Sequence, residues 1–350
     1  MSKSNYDLFD RDKYFSHLIS NFKNASTGDN IILATMEFRP DQAIINQIVK
    51  ALGQAGRQGA NVIFLIDAYS FMVKDGAMPG PLFFSKKDPK HGYGDYKPVI
   101  AAINDLRRSG VNCVVINKPQ RAFKNPFGGR SHIKFSVIND EVLIGGCNLS
   151  HPEQLDVMVR TRNGHLADYM RSFTNDVIQH TSVRKALLRR DRVFKIDEST
   201  ELLIDAGVKR QSLIYERAFD LINDAASRVY MTCQYFPNTI TPAALATAYR
   251  RGVKVHLAYN HPDQHKTPIR SFQKRTVAYS RKRLPGSVFE NQLHQGKNYL
   301  HAKILLSEKE AIIGSHNFVK IGVNLGTAEI ALHSTSTDFI AAARDWIKSL

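Results

Sequence analysis

The sequence predicts an α/β protein made of two pseudo-symmetric α/β/α halves with mixed sheets. Strand-like and helix-like hydrophobic patterns alternate along the 350 residues. The segment 61–67 (NVIFLID) is a continuous apolar run, which is typical of a strand buried on both faces of a sheet. A short polar pattern also occurs once in each half, and such an internal repeat indicates two copies of one structural unit.

The hydrophobic patterns of the two halves follow the same order. In the first half we expect strands at 30–38, 61–67, 112–117, 132–138, 141–145 and 155–161, and helices at 41–56, 99–109 and 166–179. In the second half we expect strands at 228–236, 253–259, 301–306, 311–314 and 328–333, and helices at 242–251 and 337–350. The polar stretch at 184–201 is the expected joint, which places the domains at residues 1–190 and 191–350.

One segment of the first half, residues 68–96, has no counterpart in the second half. It combines Gly and Pro with several Met, Leu and Phe residues. Such an insertion packs down as a satellite cluster or serves as a lid or membrane-contacting loop beside a site. The sequence leaves both interpretations open.

The repeated polar pattern is a His-x-Lys pair followed by two small residues and an Asn. The first copy consists of His132, Lys134, Gly145, Gly146 and Asn148. The second copy consists of His301, Lys303, Gly314, Ser315 and Asn317. The first Gly follows the His at the same offset in both copies (145 − 132 = 13 and 314 − 301 = 13). A lone His-x-Lys carries little information, but two copies with one offset indicate a site built from two halves.

These residue types suit the chemistry of a phosphodiester. A neutral imidazole can attack phosphorus without charge repulsion and form a phosphohistidine, while a second, protonated imidazole gives the leaving alkoxide its proton. On a strand, residues two apart face the same side, so each Lys projects with its His and can neutralise charge on the phosphoryl oxygens. Asn148 and Asn317 can donate to the same oxygens, and the small residues Gly146 and Ser315 let the backbone approach the phosphate.

This double motif resembles that of the phospholipase D superfamily, which carries two copies of His-x-Lys-x4-Asp, each followed by Gly-Ser/Gly-x-Asn. The segment Tyr235-Phe236-Pro237, the helix after it and the run 251–255 (RGVKV) are similar to the entry of a catalytic half in that family. The resemblance covers about residue 30 to the end of the chain and implies a phospholipase D-like fold. In overall layout the chain is most similar to cardiolipin-synthase-type phosphatidyltransferases.

The chain departs from the family motif at the motif Asp, where it has Asn139 and Glu308, with Asp140 one step late in the first copy. Each His also needs an acceptor that fixes its tautomer. Asp156 and Glu329 occupy matching places, each a single acid in an apolar strand, where burial is costly without a partner. We expect these two carboxylates to orient the histidines, each within its own half. The alternative is that they face solvent at a sheet edge.

The expected function is phosphodiester transfer through a phosphohistidine, by a phosphatidyltransferase or phospholipase acting on glycerophospholipid. The alternative is a metal-independent phosphodiesterase or nuclease acting on nucleic acid. A degenerate, non-catalytic relative is a third reading, prompted by the Asn139 and Glu308 departures. The sequence leaves open which His attacks first, with an analogy favouring His132, and whether transfer or hydrolysis follows.

Composition limits the partners. The net charge is +16, from 48 basic and 32 acidic residues, which suits a polyanion such as an anionic phospholipid surface or nucleic acid. The three Cys are widely spaced, and we expect no metal and no cofactor. No run of 18 uncharged apolar residues occurs, and the N-terminus lacks the apolar core of a signal peptide. We therefore expect a cytoplasmic protein, peripheral on the membrane if its substrate is a lipid, with a monomeric active unit.

Overall fold

The computed structural model describes residues 5–71, 97–117, 129–151, 153–179, 190–237, 240–265, 269–282 and 298–350. Within these residues the chain forms two mixed sheets of seven strands each, flanked by helices. This arrangement confirms the predicted α/β class with mixed sheets. Most of the insertion at 68–96 lies outside the described residues, so its predicted role stays open.

The first sheet is built from residues 6–162. Its strands are β1 (Tyr6–Asp10), β2 (Asn30–Thr35), β3 (Asn61–Asp67), β4 (Asn112–Ile116), β5 (Phe135–Ile138), β6 (Glu141–Gly145) and β8 (Val157–Arg162). Their spatial order is β1-β8-β6-β5-β2-β3-β4, in which β2, β3 and β4 are parallel and the other pairs antiparallel. The helices of this half are α1 (Arg11–Lys23), α2 (Ala43–Arg57), α3 (Lys97–Arg108) and α4 (Gly164–Gln179).

The second sheet is built from residues 192–334 and shares this order over six strands, whereas its seventh strand lies at the opposite edge. Its strands are β9 (Arg192–Lys195), β10 (Thr200–Ala206), β11 (Arg228–Cys233), β12 (Lys254–Tyr259), β14 (Lys303–Ser307), β15 (Ala311–Gly314) and β16 (Ala328–Ser334). Their spatial order is β12-β11-β14-β15-β16-β10-β9. The helices are α5 (Leu213–Asp224), α6 (Ile240–Arg250), α7 (Ile269–Arg281), α8 (Lys320–Leu325) and α9 (Thr337–Lys348). Each sheet thus lies on one side of the predicted domain boundary between residues 190 and 191. The boundary itself stays a prediction.

Three apolar cores, counted over the described residues, hold the layers together. One lies between the inner faces of the two sheets and includes α4 and α9. The second lies between the first sheet and helices α1 to α3, and the third between the second sheet and helices α5 to α7. The halves therefore share a buried interface through which residues of one sheet can reach a site on the other.

Two strands of two residues each join the halves directly. They are β7 (Gln154–Leu155) of the first half and β13 (Tyr299–Leu300) of the second, and they pair in parallel. A matching bridge links Ser131 to Ala328. Both contacts place the segment just before a motif His against the opposite half.

The structure corrects the sequence prediction at several elements. β1 and α1 were not predicted, although α1 has an Asp10 N-cap and a buried stripe of Tyr14, Phe15, Leu18 and Phe22. The predicted joint at 184–201 is wrong where it contains β9 and the start of β10, because the edge strand β9 is half-exposed and its charged residues hide the alternation. The strands predicted from His132 and His301 begin only at Phe135 and Lys303, because the residues before them pair with the other half.

Candidate functional site

The site lies where the central parallel strands of both sheets end. Asp67 at the end of β3 accepts hydrogen bonds from the Ser131 backbone N–H (2.8 Å), from Asn117 (2.7 Å) and from Arg130 (3.0 Å). In the second half Asn260, just after β12, exchanges hydrogen bonds with the Leu300 backbone (2.8 and 2.6 Å). Each polar side chain thus fixes the residue that precedes a motif His. These two residues were missed, although a polar residue closing an apolar run was a visible signal.

Backbone hydrogen bonds then attach each His to the opposite half. The His132 N–H donates to the Ala328 carbonyl at 2.8 Å, and the His301 N–H donates to the Leu155 carbonyl at 2.8 Å. Ala328 precedes Glu329, and Leu155 precedes Asp156. Each His is therefore tied, through the backbone, to the segment that carries the carboxylate of the other half.

The side chains pair in the same crosswise manner. His132 Nδ1 lies 2.9 Å from Glu329 Oε2, and His301 Nδ1 lies 2.5 Å from Asp156 Oδ2. The expectation that each carboxylate serves the His of its own half is therefore corrected, because the halves exchange backbone pairs at this point. A carboxylate only accepts, so each Nδ1 carries the proton and each Nε2 has a lone pair directed away from the carboxylate.

The two carboxylates are supported differently. Ser315 donates its hydroxyl to Glu329 and accepts the Ile330 N–H at 3.0 Å. Gly146 stands in the matching place, and Asp156 Oδ1 itself accepts the equivalent Val157 N–H at 2.9 Å. A Cβ on Gly146 would lie only 2.2 Å from Asp156 Oδ1. The Gly-Gly of the first motif and the Gly-Ser of the second thus fit two different carboxylates.

The lysines of both motifs are fully buried beside their histidines. Lys134 Nζ donates to the His132 carbonyl at 2.7 Å. Lys303 Nζ donates to the His301 carbonyl and lies 2.7 Å from His301 Nδ1. Burial, and then the charge of Lys303, lower the pKa of Lys134 to about 7, although Glu329 opposes this. Burial lowers the pKa of Lys303 to about 8 against the effect of Asp156.

Burial, together with the neighbouring positive charges, lowers the pKa of both histidines and favours their neutral forms. Burial and the neighbouring Lys303 lower the pKa of His301 from 6.5 to about 4, which corresponds to roughly 3 kcal/mol against protonation. Burial also lowers the pKa of His132, while Glu329 works in the opposite direction. Although burial alone would raise the pKa of Glu329, the charges of His132, His316 and Lys134 lower it to about 2. An anion entering the site would relieve the repulsion among these cations and favour their protonated forms.

The two predicted Asn residues differ in the hydrogen bonds that hold their side chains. Asn148 is buried, and its amide oxygen accepts the Glu37 N–H at 3.2 Å. The Asn317 amide oxygen is buried and meets no hydrogen-bond partner within the described part of the chain. The neighbouring His316 packs against the Tyr215 ring and accepts the Phe318 N–H at 2.9 Å.

The positions of the missing motif Asp lie at the far ends of the motif strands. Asn139 sits in the β5–β6 turn with φ of 57° and accepts the Asn30 N–H at 3.0 Å. Glu308 accepts the N–H groups of Ala226, Ser227 and Arg228 at 2.8 to 3.2 Å. Asn139 thus connects the β5–β6 turn to the start of β2, and Glu308 connects the β14–β15 turn to the start of β11. Seven residues of extended chain span up to roughly 23 Å, so these substitutions leave the histidine pairs untouched.

The arrangement presents two oriented imidazoles and two lysines from both halves in one buried, electrostatically coupled cluster. Such a set can bind a tetrahedral oxyanion and supply one nucleophile and one acid-base group to it. Among the described residues, no group of three or more His, Cys, Asp or Glu side chains is arranged to hold a metal ion.

Part of the chain is similar to a known protein family. Residues 219–350 match the family described as "Cardiolipin synthase, PLD-like domain". A search of curated proteins finds no match.

Two solved structures have similar folds. Phosphatidylserine synthase from Haemophilus influenzae superposes with a TM-score of 0.72 at 14% identity, covering 99% of this chain and 86% of the other. Polyphosphate kinase from Porphyromonas gingivalis superposes with a TM-score of 0.57 at 14% identity, covering 98% of this chain and 50% of the other. The family match agrees with the resemblance of the double motif over residues 219–350, and the two similar folds confirm the predicted fold class.

We predict that Gly146→Ala disturbs the His301 tautomer while leaving His132 unchanged. The added methyl group would displace Asp156, so the Nδ1–H form of His301 would mix with the Nε2–H form. Ring ¹⁵N NMR chemical shifts measure the two forms directly. Gly164→Ala is the matched control, since a Cβ there meets no atom within 4 Å. An unchanged His301 spectrum in folded Gly146→Ala protein would contradict the crosswise pairing.

We also predict that sulfate binding weakens as the pH rises from 6 to 9. The charge of sulfate is constant in this range, whereas Lys134 and Lys303 lose their protons near pH 7 and 8. The protonated lysines bind the anion, so affinity is highest below pH 7 and falls above pH 8. Isothermal titration calorimetry gives the affinity at each pH, and the Lys134→Met/Lys303→Met double variant should show little dependence. A flat profile in the unmodified protein would refute this assignment.

Proposed function

We propose that the chain is an enzyme of the phospholipase D superfamily that transfers or hydrolyses the phosphatidyl group of a glycerophospholipid through a phosphohistidine. The observation that carries the proposal is the crosswise pairing of each His with the carboxylate of the other half. This pairing leaves one directed Nε2 lone pair on each of the two imidazoles of the buried cluster. The match of residues 219–350 to a domain described for cardiolipin synthase supports a phospholipid substrate. The fold shared with a phosphatidylserine synthase is compatible with it.

In the proposed reaction, Nε2 of one His attacks phosphorus and the bond to the leaving alcohol breaks. The second His gives its proton to the departing oxygen, and a phosphohistidine remains. The second His then takes the proton of an entering alcohol or water, whose oxygen attacks phosphorus and releases the first His. We assign the attack to His132, whose side chain is 12% exposed against 4% for His301.

The other site residues stabilise charge in this proposal. Lys134 and Lys303 neutralise the phosphoryl oxygens, and Asn148 and Asn317 donate to them, with Gly146 and Ser315 shaping the backbone around them. Asp156 and Glu329 hold the tautomers and stabilise each imidazole when it is charged. Since both half-sites belong to one chain, we propose a monomeric active unit.

The His assignment predicts that either His→Ala variant loses activity by about three orders of magnitude or more, because each step needs both imidazoles. Phosphatidylglycerol vesicles are incubated with protein in the presence of EDTA, and lipid products are identified by mass spectrometry. The unmodified protein should form cardiolipin or phosphatidic acid, and the exposed-His control His165→Ala should match it.

An oligonucleotide tested in parallel distinguishes the nuclease alternative from the lipid proposal. The net charge of +16 also suits nucleic acid, and the same chemistry would cleave its backbone. Salt-sensitive cleavage of single-stranded DNA, with the lipids unchanged, would replace the lipid proposal with the nuclease one. Full activity of His132→Ala or His301→Ala toward either substrate would reject the two-His mechanism altogether.

We further propose that helix α7 attaches the protein to an anionic membrane surface. The helix has no acidic residue, and it exposes Arg275 together with Phe272 (46% exposed) and Tyr279 (54% exposed). Its Gln273 accepts the Phe236 N–H at 2.8 Å, which fixes the helix to the end of β11 beside the site. Within the described residues, no helix has the length and apolarity to cross a bilayer.

If α7 binds the membrane, the double variant Phe272→Ser/Arg275→Glu should weaken binding to phosphatidylglycerol vesicles roughly tenfold or more. Each basic residue near an anionic surface contributes about 1 kcal/mol, and charge reversal together with loss of Phe burial exceeds that. Vesicle co-sedimentation measures the binding. The matched control is Val193→Ser/Lys195→Glu on the exposed edge strand β9, which should bind as the unmodified protein does. Equal binding by both double variants would remove α7 from the proposal.

A further inference from the structure

The two halves differ at one pair of matching positions beside the histidines. β2 ends at Thr35 and β11 ends at Cys233, and two residues beyond each strand stand Glu37 and Tyr235. The residue after each, Phe38 or Phe236, is fully buried, so the matched segments run in the same way. The symmetric site therefore carries a carboxylate on one side and a phenol on the other.

Glu37 is attached directly to the phosphate-binding segment. Its N–H donates to the Asn148 amide oxygen at 3.2 Å, and its carbonyl accepts the Thr35 hydroxyl at 2.8 Å. Its carboxylate lies 3.3 Å from Arg39 Nε and 3.5 Å from His151 Nε2, and the side chain is 16% exposed. The backbone thus holds this carboxylate in place at the edge of the site, where part of it is open to a ligand.

The groups facing Glu37 come from both halves. Although burial would raise the pKa of Glu37, the hydrogen bond and charge of His151, and the charges of Arg39 and His301, lower it, so the carboxylate is ionised at neutral pH. Burial and the Glu37 charge raise the pKa of Tyr235 to about 12, and they raise the pKa of Tyr69 as well. Glu37 is therefore electrostatically coupled to two neutral phenols and to His301 of the other half.

We propose that Glu37 recognises the alcohol that leaves the phosphorus, and that this leaving alcohol is a neutral polyol. An ionised carboxylate only accepts hydrogen bonds, so it binds a headgroup with a second hydroxyl and repels a second phosphate or carboxylate. The adjacent Arg39 and His151 offset its charge, which removes most of the advantage of an ammonium headgroup over a hydroxyl. This inference rests on the proposed function, because it concerns the alcohol that leaves the phosphorus in the first step.

The test compares Glu37→Gln with the unmodified protein on two substrates. One is phosphatidylglycerol in vesicles, whose headgroup has free hydroxyls, and the other is bis(p-nitrophenyl) phosphate, whose leaving group has none. The ratio of kcat/KM for phosphatidylglycerol to that for bis(p-nitrophenyl) phosphate should fall roughly 10- to 100-fold, as expected when a hydrogen bond to a charged group is lost. Phosphatidylethanolamine vesicles report whether an ammonium headgroup shares the effect.

Glu153→Gln, an exposed carboxylate near β7, is the matched control and should keep the original ratio. An unchanged ratio in Glu37→Gln, or equal loss on both substrates, would overturn the assignment. A larger loss on phosphatidylethanolamine than on phosphatidylglycerol would overturn the choice of a polyol. Failure of the proposed function is distinct, since the unmodified protein would then turn over neither lipid.

Discussion

The site depends on an exchange of backbone and side-chain partners between the two halves. Each motif His donates its N–H to the carbonyl just before the other half's carboxylate, and its ring then meets that carboxylate. A buried carboxylate without a partner is costly, and so is a buried imidazole whose tautomer is not fixed. Folding of the shared core therefore completes both half-sites at once, and neither half is complete without the other.

This exchange of partners explains why the two motif copies differ beside the carboxylates. Ser315 supports Glu329, whereas Gly146 leaves the space that Asp156 needs. Beside the cluster, Glu37 and Tyr235 occupy matching positions in the two halves, so the two sides present different chemistry to a ligand. A reaction with a leaving alcohol and an entering one, on a pseudo-symmetric scaffold, needs such differences to distinguish the partners.

The charge balance of the site follows from burial rather than from the overall charge of the chain. Two lysines and two imidazoles lie together against two carboxylates, and the pKa of each cation falls as a result. The site is thus ready to gain protons when an anion arrives. The net charge of +16 acts at longer range and serves attraction to a polyanionic partner.

Much of the fold and the site was predictable because the decisive signals are local. The two His-x-Lys pairs, their small residues and Asn148 and Asn317 could be found by spacing, and Asp156 and Glu329 by the cost of burying a lone acid. The crosswise pairing could not, because it joins residues 197 and 145 positions apart. The positions Asn139 and Glu308 illustrate the same limit, since only the structure places them at turns distant from the histidines.

A crystal structure of the protein with bound tungstate would test the central claim most directly. Tungstate is a tetrahedral anion that stands in for the phosphoryl group. The account predicts one tungstate within hydrogen-bonding distance of Nε2 of both His132 and His301, with Lys134 and Lys303 against its oxygens. Tungstate bound to only one His, or to the two in separate cavities, would contradict a single site shared by both halves.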